Sequence, residues 1–206
     1  MSRPLASWSI LAFLLSLLGG VASTPAAPEP SIVPRAWEFD FTFQAPRAIA
    51  IRDVDGKFHW FWYLSYKVVN NSGSEQMFIP DVVIASERGH IIHAGQNLPS
   101  SVFPAIKNKL QNPLLLSPIE VVGKLLQGED QAKESVAIWP AFDDDVDEIT
   151  VFIGGLSGET VSLPHPTTGE TLLLRKTLRI DYKLPGTQTS PQVQAVLPSG
   201  QAWIMR

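Results

Sequence analysis

Between Phe58 and Val69 the chain reads FHWFWYLSYKVV, twelve residues without glycine or proline and rich in aromatic and β-branched side chains. That composition predicts a long β-strand. Side chains alternate across a strand. Phe58, Trp60, Trp62, Leu64, Tyr66 and Val68 therefore share one face, and His59, Phe61, Tyr63, Ser65, Lys67 and Val69 share the other. The first face is apolar throughout and is expected to point into a core. The second is aromatic in its first half and polar at Ser65 and Lys67, which predicts cover on that side only near the strand's start. Asp55-Gly56 before the strand and Asn70-Asn71-Ser72-Gly73 after it are turn sequences.

The same period of two recurs on both sides. In Trp37–Gln44, the apolar Trp37, Phe39, Phe41 and Phe43 alternate with Glu38, Asp40, Thr42 and Gln44, a half-buried antiparallel strand. Arg47–Arg52 is a shorter strand, joined to the long one through the hairpin turn Asp53-Val54-Asp55-Gly56. Met77–Ala85 is a strand interrupted by Pro80, a residue that belongs at an edge or bulge. With His90–Ala94 and the central strand it is expected to form a meander. Ser135–Trp139 and Ile149–Gly154 follow, separated by the acidic loop Asp143–Glu148. Leu172–Leu184 sets Leu172, Leu174, Leu178, Ile180, Tyr182 and Leu184 against Arg175, Thr177, Arg179, Asp181 and Lys183. Ala202–Met205 supplies a last strand.

Between about 100 and 127 the spacing turns helical. Ser101, Pro104, Ile106 and Leu110 predict a short helix with a serine cap and a proline in its first turn. Ser117-Pro118-Ile119-Glu120 is a capping box, which predicts a helix over Pro118–Gln127 ending at Gly128, though Gly123 weakens it. Seven to nine strands, one α-helical insertion and no βαβ alternation make the chain mainly β, an antiparallel sandwich.

The first residues change the picture of compartment. Arg3 precedes an apolar run from Trp8 to Leu18 and small residues at Gly19–Ser23, the layout of a secretory signal peptide. Cleavage is expected between Ser23 and Thr24, with the bond after Ala26 as second choice. The run is shorter than the ~20 residues of a comfortable membrane span, so an uncleaved anchor is the alternative and the only membrane contact foreseen. No cysteine follows the run, which excludes a lipid-anchored lipoprotein. The resulting map is a signal peptide at 1–23, a Pro-rich tether at 24–35 and a single domain at 36–206. Secretion would permit disulfides, yet the chain has no cysteine, so stability rests on an apolar core. Removing Arg3 leaves 15 basic residues against 20 acidic, one basic residue fewer than the full chain. Such an acidic chain lacks the basic stripe that nucleic acid requires. Its longest basic clusters, Lys107-Asn108-Lys109 and Arg175-Lys176, read as ordinary solvated charges.

The order YKVVNNSG, an apolar strand and hairpin, GEDQAKESVAIW, ITVFIGGLSGE and LLRKTLRIDYKLPG resembles that of uncharacterised secreted bacterial proteins. The resemblance spans roughly Trp37 to Gly186 and implies an immunoglobulin-like β-sandwich. Its motifs are structural and carry no catalytic residue to this chain.

Candidate chemistry is sparse. Asp143, Asp145 and Asp147 alternate as at the start of a calcium loop. Glu148 stands where the turn glycine belongs, however, and Gly154 where the bidentate glutamate belongs. They are weak metal candidates, and a solvated loop is the simpler reading. Gly154-Gly155-Leu156-Ser157-Gly158-Glu159 resembles a nucleophile elbow, but Glu159 replaces its second glycine. His90 and His93 fall three apart on a strand and cannot share a metal. The aromatic stripe would suit sugar stacking, but leaving it exposed would create too large an apolar patch. Asn70-Asn71-Ser72 is a formal glycosylation sequon.

The sequence therefore predicts a secreted or periplasmic, non-catalytic structural or binding module without cofactor. Its partner is an unknown protein or envelope component. The alternatives are a hydrolase with a site between the helical insertion and a sheet edge, and a calcium-dependent sugar-binding or adhesion domain.

Overall fold

The computed structural model describes residues 28–141, 146–184 and 198–206. The N-terminal segment with Ser23 and Thr24, and the whole loop 185–191, lie outside the described residues.

The aromatic run forms β3 (Phe58–Val69), with the bounds its composition predicts. Two short strands, β1 (Asp40–Phe43) and β2 (Arg47–Arg52), lie end to end along β3. Phe43 stands opposite Tyr66 and Arg47 opposite Tyr63, so the register slips by one residue between them. Pro46 sits in that slip, where a residue without an N–H costs no ladder bond. β8 (Lys133–Pro140) also pairs with β3, with Trp62 opposite Trp139.

The second sheet runs in the order β6 (Ile91–His93), β5 (Asp81–Ser86), β9 (Glu148–Gly154), β11 (Thr171–Lys183), with β12 (Pro198–Met205) also pairing β11. β10 (Thr160–Pro164) pairs with the first half of β11 and β9 with its second half. A third, two-stranded sheet joins β4 (Gln76–Phe78) to β7 (Gly123–Leu125). Every strand pair is antiparallel.

The two large sheets share one core. Trp62, Leu64, Tyr66, Val68 and Trp139 of the first meet Ile84, Val151, Ile153, Leu178, Ile180 and Tyr182 of the second. Burial of these apolar faces is the main driving force of the fold. On the opposite side of the first sheet, α1 (Val102–Leu110) lays Val102 and Ile106 over Phe61, Tyr63 and Ile138. Both faces of β3 are thus core from Phe61 to Leu64, while Trp60 is only half-buried, and the second face opens at Ser65 and Lys67, as the alternation predicts. Phe58 departs from the pattern: it begins the strand 61% exposed, under the guanidinium of Arg52.

Three expectations fail. The meander does not form, because Pro80 separates β4 from β5 and β5 pairs with β6 and β9 in the second sheet, not with β3. The helix over Pro118–Gln127 is absent. Its capping box does close, with the Ser117 N–H donating to Glu120 Oε2 at 2.9 Å and the Glu120 N–H to Ser117 Oγ at 3.2 Å. After one turn Gly123 adopts φ +136°, outside any helix, and the chain becomes β7. The helical insertion is therefore α1 plus a capped turn. Tertiary bonds decide the outcome. The fully buried Asn70 donates its Nδ2 to Leu125 O at 2.8 Å, and Gly128 N–H donates to Asn70 O at 2.9 Å. Val121 and Leu125 are buried in the main core, a placement that an extended β7 provides. The third failure is Lys176, described below.

Candidate functional site

The polar half of β3 floors a cleft. Antiparallel register sets Thr42, Lys67 and Glu134 in one cross-strand row, on the face away from the shared core. Gln44 lies beside Ser65, joined by a 2.9 Å bond from its N–H to the Ser65 carbonyl. Leu110, at the end of α1, and Asn112 and Leu115 just beyond it wall a volume of about 340 Å³. The cleft exists because α1 ends there. Gln111 adopts φ +51° and turns the chain away, so the helix covers Tyr63 but not Ser65.

The charges of this cleft are paired. The Lys67 ammonium contacts the Glu129 carboxylate, and Asn112 donates its Nδ2 to Glu134 Oε2. The Glu129 hydrogen bond holds the Lys67 ammonium above its ordinary pKa, against the opposing effect of desolvation. Lys107 donates to Leu115 O at 2.8 Å and pins the loop that follows α1.

A second, buried charge cluster lies across the molecule. Lys176 falls on the core side of β11, in line with Leu174 and Leu178, and is 2% exposed. The reading of Arg175-Lys176 as solvated charges is therefore corrected for Lys176. Its ammonium lies 2.8 Å from Glu38 Oε2 and 3.5 Å from Glu159 Oε2, with the Trp203 ring centroid at 4.9 Å. Neither carboxylate oxygen is aligned for a hydrogen bond with it. Ser31 closes the cluster from the N-terminal segment: its N–H donates to Glu159 Oε1 at 2.8 Å, and its carbonyl accepts from Lys176 Nζ at 3.4 Å. The bond from Ser31 holds the Glu159 carboxyl below the ordinary glutamate range, outweighing the opposing effect of desolvation, and Lys176 adds to it. Glu29, Pro30, Ser31 and Ile32 line one side of a space of about 500 Å³ here, with Glu38, Lys176 and Trp203 on the other.

Glu159 is the residue that breaks the elbow pattern in the sequence, and the structure gives it this different task. Ser157 caps its backbone, accepting the Glu159 N–H at 3.1 Å. Gly155 turns at φ +80°, with the Ile79 carbonyl only 2.2 Å from where a Cβ would stand. The segment is a glycine-rich strand end and turn.

The remaining candidates are dispersed. Asp143 and Asp145 lie outside the described residues. The Asp147 N–H donates to Glu87 Oε1 at 2.9 Å and the Glu148 N–H to Glu87 Oε2 at 3.1 Å, a carboxylate clamp on the loop's backbone. Partial burial works to raise the Glu87 pKa, but these backbone donors outweigh it and hold the group low. His59 pairs with Asp53 at 2.7 Å, His93 with Asp81 at 3.1 Å and His90 with Ser86 at 3.1 Å, at three separate turns or strand ends. None of these histidines lines either cleft. Among the described residues no three His, Cys, Asp or Glu side chains are arranged to hold a metal ion. Asn70, the sequon residue, is fully buried and spends its side chain on Ser72, Ser74 and Leu125.

The sequence reading missed two features of these sites. The polar floor was legible as Ser65 and Lys67, but its wall depended on where α1 stops. The buried cluster left a trace in the alternation of β11, where Lys176 occupies an apolar-face position. Among the described residues no helix is long and apolar enough to cross a membrane. Comparison with protein-family models, curated proteins and solved structures finds no match.

Proposed function

We propose that the chain is an exported immunoglobulin-like β-sandwich that acts as a non-catalytic binding or structural module of the cell envelope. The strand order supports the immunoglobulin-like part. In that fold's lettering β1 and β2 stand for A, β3 for B and β8 for E in one sheet; β6, β5, β9 and β11 stand for C′, C, F and G in the other. The insertion that carries α1 falls between C′ and E, where strand D of an immunoglobulin domain would run. The apolar run Trp8–Leu18, the small residues up to Ser23 and the Pro-rich stretch after them support export.

One observation carries the non-catalytic part: the lysines of both clefts and the carboxylates nearest them are engaged within the protein. Lys67 is held by Glu129, Glu134 by Asn112, and Lys176 by Glu38 and Glu159. A general acid or base needs a group free to exchange a proton with substrate, and these spend their charge on structure.

Fractionation of cells expressing the full chain, with N-terminal sequencing, tests export. The expected product is found outside the cytoplasm and begins at Thr24. Cytosolic protein with Met1 intact would overturn the reading. Hydrolysis of ester, amide or glycoside substrates that is lost in Lys67→Met would replace it with the hydrolase alternative.

A further inference from the structure

We propose that the cleft between α1 and the polar half of β3 is a binding site for a neutral polyhydroxylated ligand, a single sugar unit of a glycan. The inference deepens the reading of this chain as a binding module and rests on it. It arises from which polar groups in the cleft are spoken for and which are not. Lys67, Asn112 and Glu134 have partners within the protein. Thr42, Ser65 and Gln44 line the same space from adjoining strands, and their side chains make no hydrogen bond to any described residue.

Two hydroxyls and a carboxamide each offer both a donor and an acceptor, and sugar hydroxyls need both. The electrostatics point the same way. Lys67, Glu129 and Glu134 sum to one negative charge, so the site does not attract anions, and the lysine's charge is already neutralised by its neighbour. Leu110 gives the wall an apolar surface, a match for the C–H side of a pyranose ring. The volume of about 340 Å³ is at the small end of the ~300–1,000 Å³ typical of ligand clefts, which fits one ring unit better than a bound chain. The cleft is also separate from the tryptophans of β3, so sugar binding here does not require the core to open.

The test uses the exported protein, isotopically labelled, titrated with glucose, galactose, N-acetylglucosamine, their β-linked trimers and the corresponding hexuronates. At least one neutral probe is expected to shift the amides around Thr42, Ser65 and Asn112 saturably, with hexuronates binding more weakly. The double variant Thr42→Ala/Gln44→Ala removes only exposed side chains. It should weaken binding at least tenfold at unchanged melting temperature, and Ser65→Leu should block the cleft. The proposal is overturned if no neutral probe gives saturable shifts, if shifts map elsewhere, if hexuronates bind as well, or if the double variant binds normally. Such a failure leaves export untouched, whereas a cytosolic chain that binds sugar would overturn the export reading alone.

Discussion

Lys67 and Lys176 sit in the two longest strands, each beside glutamates, and they do opposite work. Lys67 reaches over the outer face of β3 to Glu129, and both side chains touch water, the lysine 34% and the glutamate 68% exposed. Lys176 points between the sheets, and its side chain is 3% exposed, against 8% for its partner Glu159. In water the attraction between opposite charges is mostly offset by their lost hydration and side-chain entropy. Inside the fold each charge has already lost hydration, so removing one partner strands the other. The same pair of residue types is thus ornamental on one side of the sandwich and structural on the other. The structural pair also ties Ser31, and with it the segment leading into the domain, to β11 and to the turn just before β10.

The largest break in this comparison is Lys176→Met. It leaves Glu38 and Glu159 facing each other without a counter-charge, and the expected loss is about 3–5 kcal/mol. At roughly 2–4 °C per kcal/mol for a chain of this size, thermal melts should fall by roughly 6–20 °C. Adding Glu38→Gln and Glu159→Gln to the same variant removes the stranded charges and should recover much of the loss. If the triple variant is no better than the single one, the damage comes from packing and not from charge.

Acid sharpens the comparison with a smaller effect. Because Glu159 is held below the ordinary glutamate pKa, its contribution to stability is complete above about 4.3, the unfolded value. It is lost as the pH falls through the lower folded value. Lys176 is the charged group beside it, and Glu38 shares the same ammonium. Melts followed downward from neutral pH should therefore show a decline that Glu159→Gln flattens. Equal slopes in both proteins would place the acid sensitivity elsewhere.

The smallest effect is expected from Lys67→Met, whose melting temperature should stay within the scatter of replicate measurements at neutral pH. A clear drop there would show that Glu129 and Lys67 hold the turn after β7 in place, and would erase the contrast. Limited trypsin digestion at the exposed Arg35 offers a further check. Cleavage should accelerate in Lys176→Met, where the hold on Ser31 is weakened, and remain unchanged in Lys67→Met.

The strands whose period of two is long and unbroken were legible from the alternation alone. β2 and β3 begin and end where alternation and turn residues place them, because side-chain direction in a strand is a local property. The alternation also showed that Phe61 and Tyr63 needed a cover and that Ser65 and Lys67 did not, which located the open floor of the cleft. Three matters were decided only by tertiary structure. The partners of β5 depended on Pro80 sending the chain to the other sheet, and pairing is a long-range choice among strands of similar pattern. The turn at Ser117 carried a valid helix start, yet Asn70 and β4 supplied hydrogen bonds and a core that an isolated helix over Pro118–Gln127 could not match. Lys176 looked like one of two adjacent solvated cations, since its burial required Glu38, Glu159 and Ser31 to converge from distant parts of the chain. Local pattern specifies which way a side chain points. What waits there, water or a carboxylate, is set by the fold.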